Sequence, residues 1–181
     1  ADKLYHCQCC RDPDYGLANP PFTIADSFGG PDVYLFGPDG DTAPDYAGTL
    51  TSDADETSDI GDYDILASGT VISPLGQTYR VTTLEPGTLT VTPAPLTITA
   101  VDQSKTYGTN FGFVGDEFTF APTPLFNDDT IDSVTLTSAG ADGAATVAGS
   151  PYAIVASDAQ GNGLENYAIN YVGGAFTVNQ A

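Results

Sequence analysis

Apolar and polar positions alternate most regularly in residues 89–100. Leu89-Thr90-Val91-Thr92 and Leu96-Thr97-Ile98-Thr99-Ala100 each place an apolar residue at every second position. Period-two alternation with β-branched residues predicts half-buried strands. Pro93-Ala94-Pro95 separates the two runs. Proline has no amide hydrogen and a fixed φ, so neither ladder should run through unbroken. The stretch reads as the last strand of one module, a stiff link, and the first strand of the next.

The same pattern occurs twice in the chain. Phe176-Thr177-Val178-Asn179-Gln180-Ala181 matches Leu89-Thr90-Val91-Thr92-Pro93-Ala94 at an offset of 87. Tyr152 to Ser157 matches Tyr63 to Ser68, Glu165 to Ile169 matches Gln77 to Val81, and Thr135 to Ser138 matches Thr49 to Ser52. The differences in spacing fall where Gly, Pro and Asp cluster, as loops should. Two tandem modules, residues 1–94 and 95–181, are expected, each mainly β with about six short strands. Further strands are expected at Phe22–Ile24, Tyr63–Ala67, Tyr79–Leu84 and Thr88–Thr92. Tyr167–Val172 should pair antiparallel with Ala175–Val178 through a Gly173-Gly174 turn. Pro86-Gly87 fits the centre of a type II turn between the corresponding strands. Alternation puts Tyr167, Ile169 and Tyr171 on one face and Ala168, Asn170 and Val172 on the other. No sustained 3.6-residue period is present, and a short helical turn is expected only near Asp129–Val134.

Composition narrows the function. Lys and Arg together number 4 against 24 Asp and Glu, a net charge of −20. This excludes a nucleic-acid surface, which has to be basic, and disfavours anionic lipid. It favours solubility, divalent cations and salt-dependent self-association. No apolar run approaches the roughly 20 residues that span a bilayer. Ala1 is a candidate mature terminus left by signal-peptide removal.

Catalytic chemistry has little support. There is one His and no Gly-x-Ser-x-Gly elbow. Paired carboxylates in an acidic surface read as solvated charge. Gly29-Gly30 and Gly161-Asn162-Gly163 read as turns, since no helix follows to make a phosphate loop. Calcium is the stronger option. Asp39, Asp41 and Asp45, and the cluster Asp53, Asp55, Glu56, Asp59 and Asp62, offer hard oxygen ligands on loops. Neither group fits a twelve-residue helix–loop–helix site.

The sharpest anomaly is His6, Cys7, Cys9 and Cys10. Tyr15 aligns with Tyr107, so these residues stand where the second module has its opening strand. Leu4, His6 and Gln8 fall opposite the core positions Leu96, Ile98 and Ala100. His6 and Gln8 are poor core residues, each costing about 1–3 kcal/mol if buried without partners. Cys7 and Cys9 share one strand face and Cys10 the other. Adjacent Cα atoms sit too close for an ordinary Cys9–Cys10 bridge, and three is an odd number. A soft metal would need ligands from a second chain. The expectation is that residues 1–10 are turned relative to Leu96–Ala100, or lie against a neighbouring subunit, with at least one cysteine meeting another chain or a metal.

LTVTPAPLTITAVDQSKTYG, Tyr15-Gly16-Leu17-Ala18-Asn19-Pro20 and ENYAINYVGGAFTV resemble the MBG/YDG-type repeats of large bacterial extracellular, haemagglutinin-like adhesins. The resemblance implies tandem extracellular β-rich modules, β-grasp-like or Ig-like sandwiches, at the cell surface. It implies no catalytic residues, and it does not cover the cysteines. The leading expectation is a non-enzymatic structural or adhesive module, with self-association or adjoining repeats as partners. The alternative is a subunit of an extracellular filament, assembled through strand addition, disulfide or metal bridging at the N-terminal segment. A carbohydrate-binding module would rest only on exposed Tyr.

Overall fold

The computed structural model describes the backbone of residues 4–9, 16–18, 22–25, 45–72, 78–79 and 83–181. Side chains are described for residues 16–18, 49–66, 68 and 86–181. The chain is mainly β and forms two compact units, residues 1–92 and 93–181.

The first unit contains β1 (Leu4–Cys9), β2 (Phe22–Ala25), β3 (Asp45–Ser52), β4 (Gly61–Ile72), β5 (Thr78–Tyr79), β6 (Thr83–Glu85) and β7 (Gly87–Val91). β1 lies between β2, antiparallel, and β6, parallel. β4 pairs antiparallel with β3, β5 and β7. Ile65 and Leu89 are fully buried, with Val91 and Ala54 nearly so.

The second unit contains β8 (Ala94–Ala100), β9 (Gln103–Thr106), β10 (Phe118–Ala121), β11 (Ser133–Thr137), β12 (Tyr152–Gln160), β13 (Tyr167–Val172) and β14 (Gly174–Asn179). One sheet has the order β10-β8-β13 and the other β11-β12-β14-β9. Alternation decides what goes inside. Leu96, Ile98 and Ala100 of β8, Val134 and Leu136 of β11, Ile154 and Ala156 of β12, and Phe176 and Val178 of β14 are all buried. The inner faces of the two sheets thus supply one core, as in a β-sandwich. The face assignment along β13 follows the alternation: Tyr167 is buried, Ile169 and Tyr171 are half-buried, and Ala168, Asn170 and Val172 are exposed.

Pairings in the first unit recur in the second. Thr49↔Ser68, Leu50↔Ala67 and Thr51↔Leu66 correspond to Thr135↔Ser157, Leu136↔Ala156 and Thr137↔Val155. Tyr63↔Leu89 and Ile65↔Gly87 correspond to Tyr152↔Phe176 and Ile154↔Gly174.

The expected hairpin at Gly173-Gly174 does not form. β13 pairs parallel with β8 in one sheet, while β14 pairs parallel with β9 and antiparallel with β12 in the other. The chain runs on through Gly173 from sheet to sheet, as it does through Val101-Asp102 between β8 and β9. Neither glycine adopts a positive φ, which two-residue hairpin turns require. They are needed for close approach instead. A Cβ on Gly173 would lie 2.7 Å from the Ile154 carbonyl oxygen, and one on Gly174 2.7 Å from that of Ala100. The strands flanking Pro86-Gly87 likewise part company, since β6 joins β1 and β7 joins β4.

Two smaller expectations are also corrected. Strand β8 begins at Ala94, so Pro95 lies within it, opposite Ala168. There β8 has a neighbour on one side only, because β10 reaches no further than Thr97. A proline is tolerated where its missing N–H faces no partner. Instead of one helical turn near Asp129–Val134, the second unit has 3-10 turns at Phe126–Asp128, Ala139–Ala141, Val147–Gly149 and Leu164–Asn166, and Ser133-Val134 already belong to β11. Between β11 and β12 the register shifts after Ser133↔Gln160. Asp158, with φ +49°, takes up the extra residue as a bulge.

The corner makes a direct prediction. Gly174→Ala should cost about 1–3 kcal/mol, the usual range for forcing a methyl into a packed site. The overlap is with main chain, which cannot swing aside. Urea unfolding of the variant against the parent measures it, and an unchanged midpoint would mean that the two strands do not meet this closely.

Candidate functional site

His6, Cys7 and Cys9 lie in β1, with Cys7 opposite Ile24 and Cys9 opposite Phe22. Within its own unit β1 pairs with β2 along His6–Cys9 and with β6 along Leu4–His6. The side chains of these three residues, and the whole of Cys10, Asp39 and Asp41, lie outside the described residues. Asp45 begins β3 opposite Ile72.

Asp53, Asp55, Glu56 and Asp59 occupy the loop between β3 and β4. Here the carboxylate of Asp55 turns the chain. Its Oδ1 accepts from the Thr57 N–H at 2.8 Å, the Thr57 hydroxyl at 2.7 Å and the Ser58 hydroxyl at 3.4 Å. The Asp55 N–H donates to Ser58 Oγ in return. The bonds from the Thr57 side chain and backbone hold the Asp55 carboxyl below its ordinary range. Tyr63 donates to the Asp59 carbonyl at 2.8 Å, and Thr90 to the Asp62 carboxylate at 2.8 Å. Among the described residues, no group of three or more His, Cys, Asp or Glu is placed to hold a metal ion. Pro93 and Pro95 are both exposed.

The most constrained polar group of the second unit is Lys105, which the sequence reading passed over. The available signal was that it is the only Lys or Arg after residue 94 and sits at an inward position of β9. It is 7% exposed. Its ammonium donates to the Thr109 carbonyl at 2.8 Å and to the Asp142 carbonyl. This ties the loop after β9 to the segment after β11. Asn110 Oδ1 accepts from the Gly143 N–H at 2.7 Å, and the Phe111 N–H donates to the Ala141 carbonyl at 2.9 Å. Phe111 then packs edge-on against Phe113 and the fully buried Phe176, each at 5.1 Å between ring centres. Gly108, φ +87°, lets the chain turn between Lys105 and Asn110.

A second clasp lies at the other end of the unit. Tyr167 OH accepts from the Phe126 N–H at 2.9 Å and donates to the Asp129 carboxylate at 3.1 Å. The Phe126 and Tyr167 rings stack. Both clasps join loops to strands with every named polar atom engaged. Neither sets a nucleophile beside a base, so their geometry is that of scaffolding.

Residues 96–177 match the family model of the MBG domain (YGX type). The chain carries an MBG domain. The match begins in β8 and ends in β14, so it takes in both clasps and the corner. No curated protein and no solved structure matches the chain. Within this MBG domain the sequence Tyr107-Gly108-Thr109 is the loop held by Lys105. Because Lys105 is buried under carbonyls, the exposed charges of the domain are all negative: nine carboxylates, each exposed or half-buried.

Two predictions concern these contacts. Lys105→Met keeps the bulk of the side chain but strands the Thr109 and Asp142 carbonyls. The variant should lose about 1–3 kcal/mol, the penalty for unsatisfied buried polar groups. Amide hydrogen exchange should speed up in residues 139–145 while the β8–β13 pairing keeps its protection. The other concerns Glu117. Partial burial pushes its carboxyl up, but the N–H groups of Val114 and Gly115, both donating at 3.0 Å, outweigh this and hold it below the ordinary 4.5. A lowered folded-state value means the charged form stabilises the fold. That contribution is complete above the unfolded value and lost as pH falls through the folded one. Glu117→Gln should melt below the parent at neutral pH and together with it in strong acid. Parallel melting curves at every pH would exclude the linkage.

Proposed function

We propose that the chain is a non-enzymatic structural segment of a bacterial extracellular surface protein. In this reading it is built from two tandem MBG-like modules that meet at Pro93, directly before β8, and its contribution is extension. The observation that carries the reading is the family match across residues 96–177, because MBG domains occur as structural repeats of surface proteins. The recurrence of the same residue pairings in the first unit supports a tandem arrangement. The charge fits as well. Modules of strongly negative net charge repel one another, which keeps a series of them soluble and apart.

Adjoining repeats are favoured over a filament assembled by strand donation. β1 is paired with β2 on one side and β6 on the other. Donating it to another subunit would first require breaking both pairings.

Surface exposure is the test. An antiserum raised against the purified chain should label intact cells that produce the protein, and brief protease treatment of those cells should remove the signal. Labelling only after the cells are lysed would overturn the surface assignment.

A further inference from the structure

We propose that the MBG domain is a load-bearing clamp, built to resist tension applied between its two ends, wherever the protein resides. The argument rests on how its first and last strands are paired. β8 and β9 form one nearly continuous path at the start of the domain. β13 and β14 form another at its end. The paths run parallel and side by side: Ala94 to Thr99 against Tyr167 to Val172, and Gln103 to Thr106 against Phe176 to Asn179.

In a parallel pair the hydrogen bonds run across the strands and are evenly spaced. Tension enters the domain at the start of β8 and leaves at the end of β14. Those points are at opposite ends of the ladder, so the strands are pulled along their length in opposite directions. The bonds are then loaded in shear and share the force. Had the two strands been antiparallel, both ends would lie at the same end of the ladder, and the bonds would open one at a time.

Peeling is checked a short way in from each point of entry. β8 is paired with β13 from Ala94 and gains β10 as a second neighbour from Thr97 on. β14 is paired with β9 out to Asn179 and has β12 on its other side as far as Phe176. β13 and β9 hold edge positions, but β13 opens the second path and β9 closes the first, so each lies at the end of its path away from the applied load. At the bend the paths are clipped together, because Asp102 Oδ1 accepts from the Ala175 N–H at 2.7 Å. The glycine contacts described above let the two backbones pass at that point.

Single-molecule pulling on the full chain tests this. Bio-orthogonal handles replace exposed residues, leaving the native cysteines unmodified. One molecule carries them at Pro93 and Gln180, which loads the ladder in shear. A second carries them at Pro93 and Glu165, beside the adjacent starts of β8 and β13, which opens the same ladder from one end. Both leave the first unit outside the load path. Unfolding is identified by its contour gain, about 3.6 Å per released residue. Forced unfolding reports the barrier rather than the equilibrium stability, so one fold can give two forces. The expected result is a rupture force severalfold higher for the 93/180 pair, in a single step. Equal forces, or a lower force for the 93/180 pair, would overturn the clamp, and so would its opening in small steps.

Discussion

The close pass at the sheet corner governs the second unit. The first and last strands of the domain have to leave one sheet together and enter the other together. This is feasible only if main chain approaches main chain there. Gly173 and Gly174 provide that, one against the Ile154 carbonyl and the other against that of Ala100. Asp102 supplies an acceptor for the Ala175 N–H at the point where the regular ladder is interrupted. A backbone group left unpaired in so tight a place would be costly. Once the corner is set, the inward positions of β8, β12 and β14 fall into one core, with Phe176 and Ile98 fully buried.

The loops are fitted to that frame by buried polar clasps. Lys105 is the clearest case. A lone cation inside a protein is expensive unless hydrogen bonds replace its water. Two carbonyls do so here, from segments far apart in sequence. The effect on the surface is as large as the effect on the loops, because the domain's single positive charge is withdrawn from solvent. What remains outside is a shell of carboxylates, with its repulsion softened by salt. Tyr167 performs the equivalent task for the turn at Phe126–Asp129, using a neutral hydroxyl that both accepts and donates.

The alternating pattern was a good guide to which residues are strands and which side of each faces inward. Leu96, Ile98 and Ala100, and Tyr167, Ile169 and Tyr171, were readable because burial of one sheet face imposes a period of two. Strand partners were less readable. Two alternating runs around Gly173-Gly174 look like a hairpin, yet a glycine pair can serve a positive φ or a missing Cβ, and the local sequence is the same for both. The difference lies in Ile154 and Ala100, which are distant in the chain. Pro95 misled for a related reason: whether proline ends a strand depends on where the neighbouring strand stops. Lys105 was hidden because a lysine on a strand ordinarily reads as exposed. In the loop that follows β3, a run of acidic residues suggested ligands. Asp55 Oδ1 accepts from Thr57 and Ser58 and turns the loop, a local role that composition alone does not reveal.

Two properties of the fold are set by different interactions. Equilibrium stability comes mainly from apolar burial, which has no direction and depends on how much surface Phe176, Leu96, Ile154 and their neighbours remove from water. The response to force comes from the direction of the hydrogen-bond ladder relative to the points of attachment. A small β unit with a modest core can therefore be only moderately stable and still yield slowly under tension. For a domain repeated along a chain, that separation has a physical advantage. Loop composition and surface charge can vary without touching the ladder, provided the corner glycines and the alternation of the end strands are kept. The pattern shared by the two units is of this kind. It preserves pairings such as Ile65↔Gly87 and Ile154↔Gly174, while the segments between strands differ in length and chemistry.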